Sequence, residues 1–299
     1  MNDRLKGTIW MCISALGMAL MGATVKFIGS DISTFEKLFF RNLIGVVMLL
    51  FTMRGQNINI WGSSNRSRLF MVYRCVIGLT GAVLYFYCIN KLYLADSALL
   101  NKLSPFFVTI FATLFLKEKL ERHQIPILIV VLFGALLVIK PKFSFEMLPA
   151  LAGFLSAIFA GGAYTLVRYL RTMEEPSTLV LWFSAFSMVG MIPPMLIQGF
   201  VIPSGVQLFY LILTGIFATV GQIGLAYAYK YALASEVSIY QYLSIIFSAI
   251  IGFMFWKEIP DTLSLIGGLI IIGAAIFNYR LSKKWLLWQS LFYLFYHTV

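Results

Sequence analysis

Residues 94–120 read LADSALLNKLSPFFVTIFATLFLKEKL, and residues 238–260 read SIYQYLSIIFSAIIGFMFWKEIP. Sliding the chain along itself by 140 positions, without a gap, lays the first stretch on the second. Leu103 then falls on Leu243, Ser104 on Ser244, Phe107 on Phe247 and Phe115 on Phe255, and Lys117-Glu118 falls on Lys257-Glu258. Upstream in the same register, Gly81 meets Gly221 and Tyr87 meets Tyr227. Apolar residues coincide by chance, so the weight rests on polar pairs: Asp96 with Glu236, Asn101 with Gln241, and the two Lys-Glu ends. The chain is an internal duplication.

Composition says where the duplicated unit lives. Hydrophobic residues make up 60% and charged residues 12%, with a mean hydropathy of +0.88. A soluble domain is about 45–50% apolar and about 25% charged, so most of this surface faces lipid. A bilayer core needs about 20 apolar residues per helix. Ten runs qualify: 7–28, 34–53, 69–90, 93–116, 124–139, 148–168, 178–200, 206–229, 233–256 and 262–280. The expected fold is an all-α integral membrane bundle of ten transmembrane helices, as two five-helix repeats over 1–142 and 143–284. Five is odd, so the second copy enters the membrane from the opposite side and the repeats are inverted. Such inversion is a common basis of carriers that open one central site to either side in turn. Residues 7–28 exceed a signal-peptide core and lack its cleavage site, so they are kept as a helix. The segment WLLWQSLFYLFYHTV at 285–299 is too short to span and reads as an interfacial aromatic tail.

The net charge of +11 suggests nucleic acid only until the basic residues are located. They flank the apolar runs, fourteen on the side of the N-terminus against six on the other. That asymmetry predicts both termini in the cytoplasm of a bacterial plasma membrane, and no nucleic-acid partner. The partners it calls for are the lipid bilayer and a small-molecule substrate, with a homodimer compatible. Cys12, Cys75 and Cys88 lie in apolar runs without metal-ligand spacing, so no metal and no cofactor are expected. An enzyme is disfavoured: His123 sits in a loop, His297 in the tail, and HExxH and GxSxG are absent. A channel or scaffold is the other rival.

Charges within lipid-embedded runs cost at least ~2.5–3.5 kcal/mol on insertion scales, so each needs a partner, water or a use. Arg41 and Lys102 are deepest and are expected to hold a carboxylate or phosphate in a wet central cavity, unless Arg41 pairs with Glu36 or caps a broken backbone. Arg74 lies nearer a span end and reads as a snorkelling anchor. Ser97, Asn101 and Ser104 share one helical face, and Ser238, Gln241 and Ser248 repeat the idea. Those stripes serve either the substrate or helix–helix hydrogen bonds. Among Trp10, Tyr87, Tyr164, Trp182, Tyr227 and Tyr242, the repeat singles out Tyr87 and Tyr227. The expected substrate-binding set is Arg41, Tyr87, Asn101, Lys102, Gln222, Tyr227 and Gln241, with Glu36, Asp96 and Glu236 as candidates for coupling or gating.

The stretches 94–120 and 128–142 (LIVVLFGALLVIKPK), the degenerate copy at 238–260, YRCVIGLTGAVLYFYCINKLYLADS at 73–97 and FEKLFFRNLIG at 35–45 resemble the EamA-type members of the drug/metabolite transporter superfamily. Together they cover nearly the whole chain. The resemblance implies a secondary carrier moving a small polar metabolite, such as an amino acid or a related compound, across the plasma membrane by alternating access. FEKLFFR also resembles members that take up S-adenosylmethionine. The second half departs from the pattern at Ile245, which stands where the first half has Pro105.

Overall fold

Lipid offers no hydrogen-bond partners, so each apolar run closes its backbone bonds within itself and becomes a helix. The computed structural model describes residues 3–55, 58–117, 124–139, 147–232 and 237–297, with the side chains of 124, 238, 239, 278, 279 and 282–297 left aside. Helices α1 (Asp3–Ile28), α2 (Thr34–Met53) and α3 (Asn65–Lys91) are followed by two short helices, α4 (Leu94–Asn101) and α5 (Ser104–Leu116). Then come α6 (Gln124–Ile139), α7 (Leu148–Leu170), α8 (Pro176–Gln198) and α9 (Gly205–Tyr231). A 3-10 helix (Ser238–Tyr242) leads into α10 (Leu243–Trp256), and α11 (Thr262–His297) ends the bundle. No strand occurs among the described residues. Local chemistry sets several starts: Ser33 and Ser64 accept from the amides of Glu36 and Ser67, and Ser204 with Gln207 forms a capping box.

Among the described residues, six segments are long and apolar enough to cross a membrane: 3–28, 65–91, 94–116, 148–170, 176–198 and 205–231. Shorter apolar helices lie at 125–139, 240–256 and 262–277. Phe51, Ile197 and Leu269 are among many large apolar side chains left facing outward. The chain is a multi-pass membrane protein.

The run expected as one span over 93–116 is broken. Residues 102 and 103 form a turn between α4 and α5, because Pro105, inside the first turn of α5, has no N–H to bond back toward Asn101. The second copy breaks at the register-equivalent place: the 3-10 segment ends at Tyr242, although Ile245 stands where Pro105 does. Both copies also end alike, with Lys117 and Lys257 in the left-handed region at φ 55° and 54°.

Helices from the two halves interleave. α1 packs chiefly on α9, α3 on α7, α2 on α8 and α6 on α11. Small residues allow these approaches: a Cβ on Gly17 would stand 3.0 Å from the Gly221 nitrogen, and one on Gly267 only 2.6 Å from the Gly134 oxygen. The Ser14 hydroxyl donates to the Gly221 carbonyl at 2.7 Å across the α1–α9 contact.

Candidate functional site

The breaks at 102–103 and 242 lie toward the middle of the bundle, and the space beside them holds a two-lobed cavity. Along α3, Arg74, Gly78, Gly81 and Tyr85 recur at helical spacing and form one wall of the first lobe, which Arg41 and Gln222 complete. This lobe is narrow, with a cavity volume of about 70 Å³, below the usual size of small-molecule sites. The second lobe is lined by Lys102, Gln241, Ser244 and Ser248. Met18, Tyr85, Asn101 and Tyr164 line both lobes and join them.

The cavity is cationic. Arg41, Arg74 and Lys102 are 5%, 4% and 8% exposed, so all three are shielded from the surroundings of the bundle. The Arg41 guanidinium lies 5.6 Å from the Phe86 ring and 5.7 Å from the Phe183 ring, and that of Arg74 lies 4.2 Å from the same Phe183 ring. Aromatic faces attract cations but leave N–H groups unbonded. Nε of Arg41, and Nε and Nη1 of Arg74, find no hydrogen-bond partner. Among the described residues, no carboxylate lines either lobe. Opposite the guanidiniums, the Gln241 side-chain amide donates to the Tyr229 hydroxyl at 2.6 Å, and Ser244 donates to the Gln241 carbonyl at 2.8 Å.

Of the residues singled out in the sequence, Arg41, Asn101, Lys102, Gln222 and Gln241 meet in this cavity. Tyr87 does not: it is 37% exposed, and Tyr85, 200° around α3 at 100° per residue, takes the inward place. Tyr227 stacks between Trp10 and Tyr231, with ring centroids at 5.3 and 6.1 Å, and is absent from both linings. Ser97 turns toward Cys88, whose sulfur lies 3.5 Å from its hydroxyl, so the stripe expected along 97–104 is dispersed by the break. Arg74 is no snorkelling anchor but a buried cavity residue, and Arg41 does not pair with Glu36. Arg74 and Tyr85 carried a signal that went unread: the 74, 78, 81, 85 periodicity puts two glycines between them on one face.

Glu36, Asp96 and Glu236 stand apart from the cavity lining or, for Glu236, outside the described residues. Glu36 accepts from the Val201 amide at 3.4 Å. Asp96 lies within electrostatic reach of Lys26. Lys26 in turn pairs with Glu258, whose second oxygen accepts from the Leu94 amide at 2.8 Å, clasping that end of the bundle. At the other end Glu174 accepts from the Ser63 amide and hydroxyl at 2.6 Å each and from the Ser67 hydroxyl at 2.5 Å. Burial raises the pKa of Glu174, but these hydrogen bonds and nearby Arg68 outweigh it and hold the carboxyl below its usual range.

The family model described as the EamA-like transporter family matches residues 5–140 and again 147–280. The Pseudopaline exporter CntI of Pseudomonas aeruginosa (strain UCBPP-PA14) is 34% identical, with 94% of this chain and 99% of that protein covered. The S-adenosylmethionine uptake transporter of Rickettsia felis is 25% identical, with 95% and 97% covered. A solved crystal structure of a protein 15% identical superposes with a TM-score of 0.68, covering 94% of this chain and 98% of that one.

Proposed function

Since the chain belongs to the EamA-like transporter family, with its domain present twice, we propose that it is a secondary carrier, not an enzyme, that moves a small carboxylate-bearing metabolite, an amino acid or a related compound, by alternating access. The observation that carries this reading is the cavity itself: buried cations, with guanidinium N–H groups that lack partners, and side-chain amides, gathered where α4 and the 3-10 helix end. Broken helices beside a central site are how membrane carriers expose backbone and side chains to a polar solute.

Alternating access needs two halves that can exchange conformations. In this reading the repeats 1–142 and 143–284 are inverted, the chain crosses a bacterial plasma membrane ten times, and both termini are cytoplasmic. The helix pairing supports it, because the contact of α1 with α9 has its counterpart in that of α7 with α3 when the halves are exchanged. Arg41, Asn101, Lys102, Gln222 and Gln241 bind the solute. Glu36 and Asp96, away from the cavity, serve gating. Two relatives are named for different cargoes, pseudopaline export and S-adenosylmethionine uptake, so the cavity must decide between them for this chain. Its cations favour the carboxylate-bearing class and oppose a sulfonium.

The test is counterflow in proteoliposomes, with cargo chosen by a thermal-stabilisation screen of metabolites. Saturable uptake accelerated by solute on the far side is expected, and Asn101→Ala and Gln241→Ala should lower it at least tenfold while the folded protein purifies normally. Unsaturable flux, or three active proteins with equal rates, would remove the carrier reading for this cavity.

A further inference from the structure

Among its described lining residues the cavity holds three buried cations and no acid, and the cations are not clustered at one point. Arg41 and Arg74 share the Phe183 ring in the first lobe, while Lys102 lies in the second, across Asn101, Tyr85 and Tyr164. A membrane protein keeps charges at such burial only when something neutralises them, and like charges side by side raise the cost further. A zwitterionic amino acid brings no net charge, and its ammonium group would face a cation wherever it lay. A monocarboxylate would satisfy one lobe and leave the other charged.

We propose that the cavity is built for a solute with two separated anionic groups, one gripped by the Arg41–Arg74 pair and the other by Lys102, with Asn101, Gln222 and Gln241 reading the polar span between them. This rests on the carrier reading above and narrows its substrate class. The two ends differ in kind: a guanidinium pair offers forked N–H groups that match a carboxylate in two-point contact, whereas an ammonium is a point charge that accepts a looser range of anions. The free Nε of Arg41 and Nε and Nη1 of Arg74 are donors already desolvated and waiting for acceptors. The solute is therefore oriented, its planar carboxylate toward α2 and α3 and its second anion toward the break after α4.

The experiment is a binding titration of the full-length chain in detergent with α,ω-dicarboxylates of increasing length, with the monocarboxylate of each length, with zwitterionic amino acids and with inorganic sulfate. One dicarboxylate length should bind at least about tenfold tighter than its monocarboxylate, the scale of a lost charge-assisted hydrogen bond. Lys102→Met should bring dicarboxylate binding to within about twofold of the monocarboxylate of the same length, Lys102→Arg should restore the preference, and Arg74→Met should weaken both. Equal binding of mono- and dicarboxylates, tighter binding of zwitterions, sulfate binding that Lys102→Met weakens as much as the diacid, or failure of Lys102→Arg to restore the preference overturns the two-anion assignment. A carrier that transports monocarboxylates or zwitterions by counterflow would survive that result, whereas absence of any bound or transported organic solute overturns both readings.

Discussion

Lys257 ends α10 at φ 54°, a backbone region that costs a residue with a side chain roughly 1–2 kcal/mol. Glycine removes that cost and gives back part of it as unfolded-chain entropy, so Lys257→Gly should raise stability by about 0.5–1 kcal/mol, read as a higher melting temperature in detergent; a lower one would show that the Lys257–Phe253 contact at 5.3 Å outweighs the strain. Among single residues, legibility in the sequence followed charge. Arg41 and Lys102 stand out because they lie deepest in their runs, inward of Glu36, Lys37 and Asp96, and the structure puts both in the cavity. For Arg74, nearness to a span end is no measure of burial; the face it occupies, shared with Gly78 and Gly81, decides its surroundings. Tyr87 and Tyr227 were favoured because the duplication pairs them. A duplication copies lipid-facing and packing positions as faithfully as cavity positions, so pairing alone does not say which way a side chain faces.

At the level of elements, the segment 54–68 reads in the sequence as no more than the longest polar connection, and the structure shows it tied down. Thr178 donates to the Asn59 carbonyl at 3.1 Å, the Trp182 indole to the Ile60 carbonyl at 2.8 Å, and Glu174 takes the Ser63 and Ser67 donors. Because the folded Glu174 carboxyl titrates below its unfolded value, its contribution to this attachment is complete above the ordinary carboxylate range and fades as pH falls through the folded pKa. Amide exchange over 58–64 should therefore quicken as pH is lowered from about 5 toward 3, beyond the intrinsic chemical trend, and Glu174→Gln should remove that added dependence; an unchanged profile in the variant would assign the attachment to Thr178 and Trp182 alone. The break at 102–103 was half legible. Pro105 is visible, but a proline inside an apolar run is compatible with a continuous kinked span. The matching break at Tyr242 has no breaker in its sequence, so it is imposed by packing against α1 and α10 that the sequence shows only as apolar.

For the whole molecule, the internal repeat was readable because Asn101/Gln241 and the two Lys-Glu ends keep one register over 140 residues. Which helix touches which was not, since apolar faces of similar composition are interchangeable on paper. The Lys26–Glu258 ion pair joins the first helix to the turn after α10 at one end of the bundle. Glu258→Gln keeps an acceptor for the Leu94 amide but loses the ion pair, so it should favour opening at that end. A cysteine at Ser248, in a background without Cys12, Cys75 and Cys88, should then react several-fold faster with a membrane-impermeant thiol reagent added on that side; an unchanged rate would show that the clasp does not gate the cavity. The interleaving of the halves also reaches into the making of the protein. Ser14 must wait for Gly221, 207 residues later, before its hydroxyl finds the partner it has in the folded bundle. At roughly 5–20 residues per second, α1 spends roughly 10–40 s in the bilayer before α9 leaves the ribosome. During that interval its small-residue face is open to lipid or to the insertion machinery, and a chain cut short before Gly205 keeps it open for good, a ready mark for the proteases that clear unassembled membrane proteins.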